Sequence, residues 1–353
     1  MTKLLILPLF LLLVVSLAFP FVKAETYKFD VGAYFYTWYQ QGWGSAHWND
    51  TIAGNCVDKP LSGWYGSNDS YVARQQLSWI DETGIDFLIH AWWNESTTDT
   101  NIFNFVNMSA SEGYGLRHCI LVDPFNGTGS YDWSSVYEYI YRRFVVTYNS
   151  TYYFMYGKPL LLVLEQCFDG WNDAGSSRAC VDLSDTEMFA IRIVGSHDWS
   201  DWYYGDVNSM VGYYNEMGYR LNVDGHINIF PRFDELYIGR SNPARLDWDL
   251  QDGLYDRFWN LISDYLGEGC LNIVTITSWN EKHERTAIEP QEDFTSDVSD
   301  TFLMEKTASW IRHLRGSSPV AGLWYQSPST FASTVLVIFF GVVVLGTFLK
   351  KYM

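Results

Sequence analysis

Positive charge is scarce in this chain. Its 353 residues carry 23 Lys and Arg against 41 Asp and Glu, a formal net charge of −18. A surface of that sign repels phosphate backbones, so nucleic acid is not expected as a partner. Lys3, Lys23, Lys350 and Lys351 lie at the two ends, which leaves the part between them more acidic still. Most of those carboxylates are expected to be solvated. Cysteine is sparse too. Cys56, Cys119, Cys167, Cys180 and Cys270 match no zinc-ligand spacing. No internal repeat is present, and no Pro/Gly/Ser-rich linker interrupts the chain before the short stretch 317–330. One domain, 25–316, is therefore expected.

Long apolar runs occur only at the ends. Lys3 precedes an almost unbroken apolar run from Leu4 to Val22, with Val22-Lys23-Ala24 at its close. This reads as a signal peptide over 1–24, cut after Ala24. The second run, 331–349, carries no charge and is followed by Lys350 and Lys351. As a helix it rises roughly 28 Å, enough for a hydrocarbon core. A single transmembrane helix is expected there, with 317–330 as a juxtamembrane linker. The positive-inside tendency makes 350–353 a cytoplasmic tail and the main domain extracytoplasmic at the cell membrane. In that oxidising setting Cys167 and Cys180, which bracket a polar loop, are a disulfide candidate, whereas Cys119 sits in an apolar run and is expected as a buried thiol. Six Asn-x-Ser/Thr sites, at Asn49, Asn68, Asn94, Asn107, Asn126 and Asn149, are acceptors for glycosylation.

Between the ends, short apolar runs alternate with amphipathic ones. Strands are expected over 31–36, 85–90, 119–122, 159–164, 189–194, 202–204, 227–230 and 273–277, the sixth being the weakest pattern. Helices are expected over 69–83, 101–111, 133–147, 254–266 and 302–314. Strands that are apolar throughout, separated by helices, imply a parallel sheet covered by helices. Eight such units in one domain point to the α/β class and a (β/α)8 TIM barrel. The chemistry of such a barrel lies beyond the C-terminal ends of its strands. Those positions hold Thr37-Trp38-Tyr39, Ala91-Trp92-Trp93-Asn94, Asp123-Pro-Phe125, Glu165-Gln166, Pro231-Arg-Phe-Asp-Glu235 and Ser278-Trp-Asn-Glu281.

Two carboxylates stand out. Glu281 and Glu284 are three apart, and in a helical turn their β-carbons would lie about 5–6 Å from each other. Carboxyls that close do not both ionise easily, so one should keep its proton near neutrality. Glycosidic cleavage needs that division of labour. Asn280 lies alongside, and His283 between the pair is placed to donate to a sugar hydroxyl. Tyr and Trp bind the C–H faces of sugars, and Trp38, Trp43, Trp48, Trp64, Trp92 and Trp93 cluster near loops. His47-Trp48, in the long first connection, belongs with them. A metal site from His47, His90 and His118 has no supporting spacing, so none is assigned.

At these residues a family resemblance enters. The segment Val274-Thr-Ile-Thr-Ser-Trp-Asn-Glu-Lys-His-Glu-Arg-Thr-Ala-Ile-Glu-Pro290 resembles the Thr-Ser-Phe/Trp-Asn-Glu-Trp-His-Glu-Gly-Thr-x-Ile-Glu signature of glycoside hydrolase family 99, the endo-α-mannosidase family. Gly32-Ala-Tyr-Phe-Tyr-Thr-Trp-Tyr39, His47-Trp48, Gly84 to Trp93, Gly157 to Val163 and Pro231-Arg-Phe-Asp234 resemble its other blocks, so most of residues 30–315 is covered. The resemblance implies a (β/α)8 barrel without a catalytic metal or cofactor. It implies cleavage of internal α-mannosidic linkages with retention, on an oligosaccharide or polysaccharide. Glu281 would be the base toward the substrate's 2-hydroxyl and Glu284 the acid/base. Tyr36, His47, Trp48, Trp93 and Tyr203 would contact sugar.

Two positions depart from the signature. Lys282 stands for Trp and Arg285 for Gly. Cations flanking the pair would favour ionised carboxylates, and Arg lacks the backbone freedom of Gly. These departures keep open a sugar-binding barrel without turnover. A third reading is the related barrel of polysaccharide-assembly proteins, with its Trp-Asn-Glu-Trp-type motif.

Overall fold

The computed structural model describes residues 27–42, 47–48, 57–124, 132–164, 167, 186–194, 223–238, 245–246, 253–293 and 298–316. The first strand, β1 (Asp30–Phe35), is buried at every position after Asp30. A strand covered on both faces has no side to leave polar, which explains runs that do not alternate. The same holds for β2 (Phe87–Trp92), β3 (Arg117–Val122) and β4 (Lys158–Leu164). The set is completed by β5 (Ala190–Val194), β6 (His226–Ile229) and β7 (Ile273–Ile276).

All seven pair in parallel, in the order β5-β4-β3-β2-β1-β7-β6. The first strand thus lies between the second and the last, as closure of a barrel requires. The expected sixth strand, 202–204, falls outside the described residues, between β5 and β6. Gly32 sits opposite Phe87 in the register, and a β-carbon there would come 2.4 Å from the Phe87 ring. Only glycine admits that ring.

The helices form where periodicity and caps predicted them. In α1 (Ser70–Thr83) Asp69 accepts from the backbone N–H of Tyr71 and Val72, and Gly84, at φ 85°, ends it. Its buried residues include Val72, Leu77 and Ile80, on one helical face. The second helix, α2 (Ser96–Ser111), starts five residues before the expected 101. Its polar first turn shows no apolar period, yet Thr98 and Asp99 are buried there and Asp99 accepts from the Trp92 indole. The expected 133–147 helix is α-helical only as α3 (Trp133–Ile140) and widens to a π-helix over Tyr141–Val146. Last come α4 (Leu254–Glu268) and α5 (Phe302–Leu314).

Alternate residues of β1 serve two cores, as a period of two demands. Val31, Ala33 and Phe35 pack with Leu88, Trp259, Val274 and Ile311. Tyr34 packs on the other side with Phe87, Ile89 and Leu161. Cys119 lies in that second core as the expected buried thiol, its pKa raised by burial. Cys167 is buried, with its thiol toward the Val122 carbonyl at 3.3 Å. Its expected partner Cys180 lies outside the described residues, as do the expected signal peptide 1–24 and the expected span 331–349. Among the described residues, no helix is long and apolar enough to cross a membrane.

Candidate active site

The parallel pairing of β1 and β7 sets Ala33 beside Ile276, so the segments that follow the two strands emerge side by side. Asn280 joins them. Its side-chain oxygen accepts from the Tyr36 N–H at 2.8 Å and its amide donates to the Tyr36 carbonyl at 2.8 Å. The Tyr39 hydroxyl donates to the Asn280 carbonyl at 2.6 Å. Asn280 is fully buried. Placed beside substrate from the sequence, it acts in the structure as a cross-link between strand ends.

The two glutamates follow on an irregular turn rather than on the helical one their spacing invited. The Glu281 N–H donates to Ser278 Oγ at 2.7 Å, and its Oε1 accepts from the His283 N–H at 2.8 Å. The turn over Lys282–Arg285 closes through the Arg285 N–H to the Lys282 carbonyl at 3.3 Å, with Arg285 at φ 54°. Glu281 is buried and Glu284 half-buried.

An aromatic wall stands beside this turn. Trp38 stacks on Tyr36 with centroids 4.5 Å apart and on the His47 ring at 4.6 Å with planes 5° apart. Trp93 meets the edge of Trp38 at 5.7 Å, and His47 meets His283 at 6.3 Å. Tyr36, Trp38, His47, Trp93 and His283 are therefore one group. Trp48 and Trp92 are not part of its surface. Trp48 is fully buried under Tyr39, centroids 4.0 Å apart, and donates to the Tyr65 carbonyl at 2.9 Å. Trp92 is buried and donates to Asp99 at 2.7 Å. Tyr203 lies outside the described residues.

Among the described residues, several buried polar atoms at or beside this site lack a protein partner. The indole nitrogens of Trp38 and Trp93 are buried with no acceptor in hydrogen-bonding geometry, and Asp123 Oδ2 is buried without a donor, while the Trp93 indole lies near enough to that carboxyl to lower its pKa. Asp123 follows β3 directly. Burial pushes its carboxyl up to about 8, the Glu281 carboxylate adds to the rise, and the Trp93 indole opposes it. It was read from sequence only as one of several strand-end residues. The available signal was its place straight after an apolar strand.

The two cations beside the pair are engaged with other carboxylates. Lys282 Nζ lies 3.1 Å from Glu289 Oε2 and donates to Gln291, all fully or almost fully buried. Arg285 is committed to Asp58, Asp234 and Asp293 at 2.7, 3.1 and 3.2 Å. Their charge is met at short range by these other carboxylates. Of the histidines weighed for a metal, His90 and His118 hydrogen-bond each other at 2.9 Å in the interior, and burial holds both below the ordinary imidazole range. Among the described residues no group of three His, Cys, Asp or Glu could hold a metal ion.

No protein-family model and no curated protein matches the sequence. Solved structures do match. The GH99 endo-α-mannosidase from Bacteroides thetaiotaomicron, in complex with BIS-TRIS-propane, aligns with a TM-score of 0.58 at 20% identity, over 82% of this chain and 98% of that one. A second structure of a GH99 endo-α-mannosidase from Bacteroides thetaiotaomicron gives 0.57 at 20% identity, over 81% and 97%. A glycoside hydrolase-like protein gives 0.50 at 13% identity, over 82% and 96%. The chain has the α/β-barrel fold of the GH99 endo-α-mannosidases.

Proposed function

We propose that the chain is a retaining glycoside hydrolase acting on internal α-mannosidic or related α-glycosidic linkages. The observation that carries this reading is the turn after the last barrel strand. It carries Glu281 and Glu284 on either side of His283 in sequence, and His283 meets a group of Tyr36, Trp38, His47 and Trp93 whose indole N–H groups lack acceptors among the described residues. Stacked aromatics with unused donors suit a sugar, apolar on its faces and rich in hydroxyl acceptors at its rim.

In the proposed reaction the Glu281 carboxylate takes the proton of the 2-hydroxyl. That oxygen attacks the anomeric carbon as the glycosidic bond breaks, and Glu284 gives its proton to the departing oxygen. Glu284, now ionised, then takes a proton from water as the water opens the strained ring at the anomeric carbon, and Glu281 returns its proton to the 2-oxygen. Two inversions give retention. A signal peptide over 1–24 and a span over 331–349 would hold this site outside the cell membrane, facing surface or environmental glycans.

Lys282 and Arg285 spoke for a barrel without turnover, but both are spent on carboxylates outside the pair. The test is product release from a panel of α-mannosides and α-glucosyl-mannosides by the purified chain. Glu281→Gln and Glu284→Gln should each lower kcat by about 10²- to 10⁴-fold. Undiminished turnover in both variants would remove the mechanism.

A further inference from the structure

Arg285 occupies a left-handed backbone position, φ 54°, where the resembling signature carries Gly. Non-glycine residues rarely sit there without compensation. Its guanidinium supplies that compensation. Nε and Nη2 bind the two oxygens of Asp58 at 2.7 and 2.8 Å, Nη1 binds Asp234 at 3.1 Å, and Nη2 also binds Asp293 at 3.2 Å.

Arg232 completes the arrangement. It bonds Asp58 at 2.7 Å and Asp293, and its Nε donates to the Arg285 carbonyl at 2.9 Å. The Asp234 N–H, in turn, donates to the Glu284 carbonyl at 2.9 Å. The backbone oxygens of Glu284 and Arg285 are thus both tied to one buried lattice of two arginines and three aspartates. The lattice gathers the first long connection through Asp58, the segment after β6 through Arg232 and Asp234, and the segment after the Gln291–Glu292 strand through Asp293.

We infer that Arg285 is a positioning residue, whose guanidinium sets the turn that aims Glu284 at the leaving oxygen. The inference rests on the proposed role of Glu284 as the acid. Backbone freedom alone cannot do the same work, because Gly would relieve the φ but leave three buried aspartates with one arginine.

The test uses the full chain, with Arg285→Gly and the milder Arg285→Lys in case the glycine variant does not fold. Two substrates share one α-manno-configured oligosaccharide. One carries a sugar aglycone, which needs protonation to leave, and the other carries dinitrophenol, which does not. Misaimed acid should lower kcat/KM, which reports the bond-breaking step, by about 10- to 100-fold on the sugar aglycone and by no more than about threefold on dinitrophenol, whereas kcat on dinitrophenol also falls where Glu284 activates water in the second step. Lys should recover part of the loss, since it keeps charge without the fork. In parallel, amide exchange of peptides spanning 279–288 should quicken in the variants while β1 to β4 stay protected. An equal fall in kcat/KM on both aglycones overturns the inference, as does unchanged exchange with unchanged kcat/KM. If wild-type chain cleaves neither substrate, the hydrolase reading fails and exchange decides alone. Faster exchange in 279–288 then sustains the positioning role, and unaltered exchange ends it.

Discussion

The two sides of the Glu281–Arg285 turn are built on opposite principles. Behind it, Arg232, Arg285, Asp58, Asp234 and Asp293 are buried charges that satisfy one another, and Lys282 does the same with Glu289 and Gln291. In front, Trp38, Trp93 and Asp123 keep buried polar atoms without partners among the described residues. A buried polar group left unpaired costs stability, so proteins keep few of them. The contrast separates what holds the turn from what the turn is for. Saturated groups fix geometry, and under the proposed function Trp38, Trp93 and Asp123 are where a sugar would supply the missing partner.

The sharpest way to break that contrast is to attack the saturated side. Asp58 is fully buried and accepts from both Arg232 and Arg285. Removing one partner from a buried ionic network leaves the others uncompensated, at a cost of about 3–5 kcal/mol. Asp58→Ala should therefore lower the unfolding free energy by that amount in urea denaturation. A loss below about 1 kcal/mol would mean the lattice behaves like a surface ion pair and fixes nothing.

Asp123 tests the unsatisfied side through pH. In the folded protein burial and Glu281 push its carboxyl up to about 8, against an ordinary value of 3.8. Between those values the native state holds a proton that the unfolded chain has lost. The Asp123 contribution to stability is therefore intact below the ordinary value and declines as pH rises toward 8, by at most about 1.4 kcal/mol per unit. Asp123→Asn carries no ionisation, so its advantage over wild type should grow from pH 5 to pH 8, to on the order of a few kcal/mol. Chemical denaturation at the two pH values measures this. Parallel stabilities would show that Asp123 ionises freely in the fold.

How much of this was legible in sequence follows from the range over which each feature is specified. The described strands fall within about two residues of their expected positions at most ends, because burial on both faces writes itself into consecutive residues. The α1 cap and its Gly84 stop are equally local. The lattice is not local. Asp58, Arg232, Asp234, Arg285 and Asp293 come from three separate connections, and a charged residue in a loop reads as solvated until the fold brings its partner. The same holds for the tryptophans. Proximity to a loop placed Trp48 and Trp92 with Trp38 and Trp93, but it carries no information on which way an indole turns. Register and packing decided that, sending Trp48 under Tyr39 and Trp92 toward Asp99. Glu281 and Glu284 could be singled out together because both lie on one short motif, whereas the irregular turn that carries them depends on Asp234 and Ser278.

The smallest expected effect sharpens the comparison most finely, because two similar residues should respond with opposite signs. The Trp93 indole N–H is buried with no acceptor in hydrogen-bonding geometry, while the Trp48 N–H donates to the Tyr65 carbonyl at 2.9 Å. Replacing each by Phe deletes the N–H and part of the ring. In Trp48→Phe a satisfied bond and tight packing are lost, so the unliganded protein should weaken by about 1 kcal/mol or more. In Trp93→Phe the lost group was already unpaired, and relief of that penalty offsets the lost packing of a half-buried ring. Stability should then hold or rise slightly. Sugar affinity should move the other way. If the Trp93 N–H donates to a hydroxyl oxygen, its removal costs about 0.5–1.5 kcal/mol, a KM or Kd increase of roughly 2- to 12-fold. Trp48→Phe should leave KM nearly unchanged once the loss of folded protein is corrected for. Thermal denaturation and a titration with an α-mannoside, done on both variants, read the two signs together. Equal losses of stability in both would place Trp93 in the packed interior with Trp48, and the aromatic wall would end at Trp38.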